Sequence, residues 1–442
     1  MTQLQRKLTL YGLTMIAVGS CIGSGIFVTP YEIVRAVPHH GYALLVWTLG
    51  GLIALTGALT FAELGGMFPQ SGGVYIFIKE AYGELAGFLY GWVILLVINT
   101  GALAALGIAL AEYMTYFIPL GYWGKILLAI GVIAGLTGIN IVGVGVSQTF
   151  ANLFTGLKLA AIAAIILTGI FFYEAEATHV NLSLTSQVPD DLLAAALLGL
   201  IGVLWSFGGW HHASYLAGEA IDAQRTVPRA MVLGALIVTV TYVLVNLAYM
   251  LLLPLPAIAG TTRVAGDAIA TVVPSGGRLV AIAIAVSIFG TIGIYTMSAP
   301  RIYFAMARDG IFFPALARIH PRFQTPVNAM LAQAVWAILL LLFWGTFSDL
   351  ITYVTFMDIA FMTLAGACVF LFRLRRPGAK RPYRVAGYPW VPLVFVTISG
   401  AFVLNTLAQR PVQAVAGLII LTAGMLTYRF FRSGPPIEKY NP

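Results

Sequence analysis

Apolar runs of about 20 residues recur twelve times along the chain, and this recurrence restricts its fold more than any other feature. Lipid cannot pair backbone N–H and C=O groups, so such runs become helices; a β-barrel would show short alternating segments instead. The runs lie at roughly 9–36, 42–68, 84–117, 124–143, 147–173, 191–221, 228–253, 278–307, 327–345, 350–372, 388–408 and 412–431. Only 9% of the 442 residues are charged. A soluble domain carries about 25%, so this chain is an all-α integral membrane protein. Arg6 and Lys7 ahead of an apolar stretch imitate a signal peptide, and Val18–Cys21 imitates a lipoprotein cleavage site. The first run continues past Cys21 and eleven more follow, so it is read as the first span.

Basic residues orient the spans. With a cytoplasmic N-terminus, eighteen Lys and Arg fall inside, five (Arg35, Lys125, Arg263, Arg278, Arg410) fall outside, and Lys158 lies within a span. The acidic segment Glu174–Asp191, free of basic residues, also falls outside. Both termini are then cytoplasmic. The net charge of +8 follows from this asymmetry and calls for no nucleic acid. Cys21 and Cys368 sit inside apolar runs and offer neither a disulfide framework nor a metal-ligand spacing.

Within the first run, Gly19–Phe27 holds three glycines and two serines. Glycine loses most backbone entropy in a helix, and serine competes for its hydrogen bonds. The stretch therefore reads as a break between two half-helices, whose freed polar groups suit a polar ligand. Gly19 and Gly23 also read as a GxxxG packing face. A second interruption, Ser206–Trp210, lies in the sixth run, five spans later. Ten spans then divide into two five-helix halves of opposite topology, each opening on a broken helix, and paired interruptions of this kind point to a transporter's midplane site.

Several charges lie where lipid should be. Lys158 sits about eleven residues into the fifth span, roughly 16 Å from its inner end. Insertion there costs about 2.5–3.5 kcal/mol or more, so the ammonium faces protein or water. It either ties the fifth span to free carbonyls of the first break, or stands as a fixed or proton-releasing cation where related folds hold sodium. Asp358 lies well inside the tenth span, and His211 and His212 follow the second break. Glu63, Glu112 and Glu219 lie nearer span ends and read as snorkelling or structural; His211 and Glu219, eight apart, fall on one helical face. Metalloprotease, nucleophile-elbow, CxxC and phosphate-loop patterns are absent, which argues against an enzyme.

At this point the chain resembles the amino acid–polyamine–organocation transporter superfamily, in its L-type branch. Carrying the resemblance are Ile22–Pro30, Phe61–Gly65, Ser71–Tyr75, Phe154–Leu159, Phe207–Trp210, Glu219, Pro228, Pro300–Tyr303, Ala307–Gly310, His320–Pro321 and Thr325–Val327. It implies a LeuT-like fold of twelve transmembrane helices. The first inverted repeat would occupy 1–173 and the second 174–372, with helices 11 and 12 and a cytoplasmic C-terminus in 373–442. It also implies alternating access without sodium, without a cofactor or metal, in the lipid bilayer of a cell membrane.

The substrate's carboxylate would meet N–H groups at Ser24, Gly25 and Ile26. Its amino group would meet carbonyls near Ile22 and at Trp205, Ser206 and Phe207. Helix-end dipoles favour the same polarity. Trp205 would be an aromatic gate, and Lys158 and Ser298 would share gating or coupling roles with it. The loop Pro119–Gly124 lacks the cysteine that joins eukaryotic members of the branch to a heavy chain, so a stand-alone transporter is expected. Positions 211 and 358, commonly neutral amides in mammalian relatives, are here His and Asp. They are expected to form a polar or titratable pair that selects small, polar or cationic side chains. Exchange of neutral, small or polar amino acids is the leading expectation. Proton-coupled import of amino acids or cationic amines, a channel and a non-transporting sensor are the alternatives.

Overall fold

The computed structural model describes residues 4–173, 180–184, 192–343, 347–409 and 411–432. The segment 174–191 lies largely outside them, as do Arg410 and Lys439. The described residues form helices without strands; a single bridge pairs Leu8 with Ala220.

Each of the twelve apolar runs meets a helix. The first is split into α1 (Leu10–Cys21) and α2 (Gly25–Ala36), bent by 44° at the break. There follow α3 (His40–Met67), a short α4 (Val74–Tyr82), and α5 (Glu84–Val93), which passes through a π-helical turn, Ile94–Ile98, into α6 (Asn99–Met114). Next come α7 (Tyr122–Ile141), α8 (Val144–Phe171), α9 (Leu192–Phe207), a four-residue α10 (His212–Tyr215) and α11 (Ala223–Leu252). Two short helices, α12 (Leu255–Gly260) and α13 (Val264–Ala270), precede α14 (Gly276–Ser298) and α15 (Pro300–Arg308). The chain ends with α16 (Val327–Phe343), α17 (Phe347–Arg375), α18 (Trp390–Gln409) and α19 (Pro411–Arg432).

Among the described residues, eight helices are long and apolar enough to cross a membrane, or nine if α1 and α2 count as one span. The chain is a multi-pass membrane protein. The sixth run departs from expectation, because beyond α9 it continues only through α10 and a 3-10 turn, Ala217–Glu219. Nothing longer than one helical turn joins His211 to Glu219, so these residues do not share a helical face.

Helix α1 occupies the centre, packed by α8, α11 and α14, while α2 packs on α9. Small residues allow these approaches. A Cβ on Gly19 would run into Thr155 and Ile294, so Gly19, still inside α1, serves close packing. A Cβ on Gly23 would meet nothing closer than 3.7 Å, so of the GxxxG pair only Gly19 is needed for close packing, and Gly23 belongs to the break.

Candidate functional site

Ile22, Gly23 and Ser24 separate α1 from α2. Ile22 leaves the helical region with ψ 83°, and Gly23 and Ser24 follow before α2 begins at Gly25. Backbone pairing resumes with the amides of Phe27 and Val28, which donate to the Ser24 carbonyl at 3.1 and 3.2 Å. The amides of Ser24, Gly25 and Ile26 have no backbone acceptor among the described residues. Three N–H groups at a helix N-terminus are thus available to an anion.

On the other side of the break, carbonyls are freed, and buried side chains take them up. The Lys158 ammonium donates to the carbonyls of Gly19 (2.7 Å) and Ile22 (2.9 Å) and to Thr291 Oγ1 (2.6 Å). Ser287 Oγ lies 3.0 Å from the same Ile22 carbonyl, and Thr291 Oγ1 also lies 3.0 Å from it. Lys158 is therefore placed as a tether between α8 and the first break, 1% exposed. The Ile22 carbonyl faces this cluster, not an open space, which corrects its expected place beside a substrate amine.

The second break is packed back to back with the first. Helix α9 ends at Phe207, the Gly208 amide folds back to Trp205 O (3.1 Å), and Gly209 has φ +118°. A Cβ on Gly209 would lie 2.7 Å from the Ser20 carbonyl, so both conformation and space require glycine. Ser20 Oγ is 2.7 Å from Gly209 O, and Cys21 Sγ is 3.5 Å from Phe207 O. Tyr242 OH lies 2.9 Å from Cys21 O and 3.0 Å from Ser206 O, sharing one proton between the two breaks. The carbonyls of Trp205, Ser206 and Phe207 each have a protein donor, and each keeps one further lone pair for a ligand.

Both breaks contribute residues to the wall of a cavity. Ser24, Gly25, Trp205, Ser206, His211 and Asp358 line it. Ile22, Ile26, Phe207, Lys158 and Ser298 are not in the lining, though Lys158 and Ser298 bond to the lining residues Thr291 and His212, so only part of the expected site reaches the cavity itself. Ser20, Cys21, Asn99, His212, Tyr215, Thr291, Tyr295 and Thr355 add to the polar lining. His212 Nδ1 is 2.6 Å from Ser298 Oγ, and its ring stacks on Tyr295 at 4.4 Å. His211 packs edge-on against Trp210 and Tyr215, at 5.5 Å from each. Among the described residues no hydrogen bond or ion pair joins His211 to Asp358, contrary to the expected pair, and Asp358 Oδ1 has no hydrogen-bond partner in the protein.

Sequence reasoning missed Tyr242, Thr291, Ser287 and Asn99. Ser287 and Thr291 are four apart in an apolar run, a spacing that places two hydroxyls on one helical face and was available as a signal. Tyr242 carried no local signal at all.

Away from the cavity the acidic residues are paired. Glu219 and Arg301, both fully buried, form a bidentate bridge at 2.8 and 2.9 Å, and Arg301 also donates to Met297 O. Glu219 is therefore structural and does not snorkel. Its carbonyl accepts from the amides of Lys7 and Leu8 at 2.9 Å each, which binds the N-terminal segment to the same place. Glu63 holds Arg373, Arg381 and the Val385 amide, while Glu112 pairs with Lys125 at 2.7 Å. Among the described residues no group of three His, Cys, Asp or Glu side chains is placed to hold a metal ion.

The family model for amino acid permeases matches residues 8–430. The serine/threonine exchanger SteT of Bacillus subtilis (strain 168) is 33% identical over 428 residues, covering 95% of each chain. The large neutral amino acids transporter small subunit 2 of Mus musculus is 32% identical over 446 residues, covering 96% of this chain and 81% of its own length. The human cystine/glutamate transporter is 28% identical over 434 residues, covering 97% and 86%.

Proposed function

Because the chain belongs to the amino acid permease family, we propose that it is a sodium-independent secondary transporter that exchanges neutral, small or polar L-amino acids by alternating access. One observation carries this beyond general amino acid transport. Ser24 and Gly25, whose amides are unpaired, line a cavity that Trp205 and Ser206, at the carbonyl end of α9, also line. A zwitterion fits these poles in one orientation, carboxylate toward α2 and ammonium toward Trp205–Phe207. Lys158 supplies a fixed cation near the break without sodium, Trp205 closes over the substrate, and Ser298 acts through His212.

The fold assigned to this function has twelve spans: two inverted repeats, 1–173 and 174–372, followed by 373–442, in a cell membrane with both termini cytoplasmic. The loop Pro119–Gly124 contains no cysteine, so the transporter works without a disulfide-linked heavy chain. A second reading, proton-coupled import of an amino acid or cationic amine, is favoured by the presence of Asp358 and two histidines in the cavity wall. Proteoliposomes distinguish the possibilities. Uptake that requires internal amino acid supports exchange. Acceleration by an inward proton gradient without internal substrate supports symport. Non-saturable flux, or no flux, overturns the transporter reading in favour of a channel or a sensor.

A further inference from the structure

The polar groups along the cavity differ in how far the protein has already committed them. Lys158 does not line the cavity, and its ammonium is taken up by the carbonyls of Gly19 and Ile22 and by Oγ1 of the lining residue Thr291. The His212 Nδ1 edge is held by Ser298, and Ser298 Oγ in turn lies 2.8 Å from Ile294 O. The Tyr215 hydroxyl is 2.7 Å from that of Tyr90. Asp358 is different: it is the one carboxyl among the described lining residues, no Lys or Arg lines the cavity with it, and its Oδ1 atom is buried without a partner. A buried acceptor without a donor is costly, and a native structure retains one where something else completes it.

Resting on the transporter reading above, we propose that Asp358 is the residue that selects the substrate's side chain, and that it accepts a hydrogen bond from a donor at the end of that side chain. The helix ends satisfy the groups every amino acid shares, so they leave the side chain to the remaining wall. There, an apolar side chain of the right length would bury Asp358 Oδ1 unpaired, and an acidic one would set two carboxyl groups together. A hydroxyl or an ammonium completes the acceptor. The substrate class is therefore amino acids with a donor-bearing side chain. His211, packed among aromatic rings and not bonded to Asp358, shapes the wall without sharing this role.

The test uses the full chain, purified in detergent, with affinities measured by ligand-induced thermal stabilisation. Two matched pairs separate the donor from size: homoserine against norvaline, and ornithine against norleucine. A site built to pair a substrate donor rejects the analogue that lacks it, so the donor-bearing member should bind about tenfold more tightly or better. A larger ratio for homoserine identifies the hydroxyl as the preferred donor, and a larger ratio for ornithine identifies the ammonium.

Asp358→Leu should bring both ratios to near one. Asp358→Asn, which keeps an acceptor oxygen but no charge, should preserve the homoserine ratio and lower the ornithine ratio, since a charge-assisted bond becomes a neutral-acceptor one; it also provides the decisive reading should the leucine variant fail to fold. Equal binding within both pairs in the wild type, or an ornithine ratio undiminished in Asp358→Asn, overturns the assignment while leaving amino acid binding intact. If alanine and all four probes fail to stabilise the protein, the transporter reading falls and takes this assignment with it.

Discussion

Gly25 provides the sharpest test of the two-break site. A Cβ at this position would lie 2.5 Å from Ser206 Oγ and 3.0 Å from Ser206 Cα. The second of these atoms is backbone, so a rotamer change at Ser206 cannot make enough room. Gly25→Ala must therefore push the first turn of α2 away from the end of α9, displacing the amides of Ser24 and Ile26 from the anion they are proposed to hold. Overpacking of this kind costs about 1–3 kcal/mol, which corresponds to about 5- to 140-fold weaker binding if the displaced pole bears it. Binding is measured by thermal stabilisation with the substrate found in uptake assays. Ser206→Gly in the same chain removes the Oγ and Cβ contacts and should recover part of the loss. Gly23→Ala provides the packing control, because its Cβ would meet nothing closer than Leu106 Cδ2 at 3.7 Å, so the ligand-free melting temperature should be unchanged. Wild-type affinity in Gly25→Ala would refute the close-approach argument. A loss that Ser206→Gly leaves untouched would show that this contact is not its cause.

Three further outcomes follow from the hydrogen-bond network. Tyr242→Phe removes the one proton shared by Cys21 O and Ser206 O and should cost about 1–3 kcal/mol, read as a lower melting temperature together with weaker substrate binding. Thr291→Val keeps the side-chain shape but takes one of three partners from Lys158 and a donor from the carbonyls of Gly19 and Ile22. It should destabilise by a similar amount, about 1–3 kcal/mol, and Ser287→Ala by less, as compared in detergent melts. Glu219→Gln leaves Arg301 without its counter-charge in a fully buried place and should cost about 3–5 kcal/mol. The double variant Glu219→Gln, Arg301→Gln should melt higher than the single one; a lower melting point would show that the stranded guanidinium charge is not what destabilises the single variant.

Membrane character and both breaks were legible in the sequence, because glycine and serine inside an apolar run conflict with a continuous helix whatever surrounds them. Lys158 was legible for the same kind of reason: a lone cation in lipid has to be paired. Its partners were less so, since Ser287 and Thr291 can bond carbonyls of their own helix and are tolerated in any span. The course of the chain after α9 was misjudged because His212–Glu219 is apolar enough to extend a span, yet the turn at Gly209 and the buried Glu219–Arg301 bridge fold it into short pieces. The π-helical turn Ile94–Ile98 reads in the sequence as an ordinary apolar helix, and the Thr100 hydroxyl beside it donates to Leu95 O at 2.6 Å. His211 and Asp358 were picked out together by residue type, but the structure gives them different surroundings, which type alone does not encode.

The position of Lys158 and the isolation of Asp358 are connected. A buried lysine facing the cavity would pair with the nearest carboxylate, and the wall would then present a neutralised ion pair to any side chain. Lys158 is instead held by the carbonyls of Gly19 and Ile22 and by the Thr291 hydroxyl, so its charge supports the backbone of α1 and the residue itself stays out of the lining. The cavity is thus left with helix-end dipoles at its poles and a single carboxyl on its wall. Dipoles of opposite sign suit a zwitterion and are indifferent to its side chain, whereas one unpaired acceptor discriminates strongly between side chains that donate and those that do not. Moving the cation into the lining would erase that discrimination without altering either pole. If Asp358 selects the side chain as proposed, substrate preference will depend on how firmly Thr291, Gly19 and Ile22 hold Lys158, as well as on Asp358 itself.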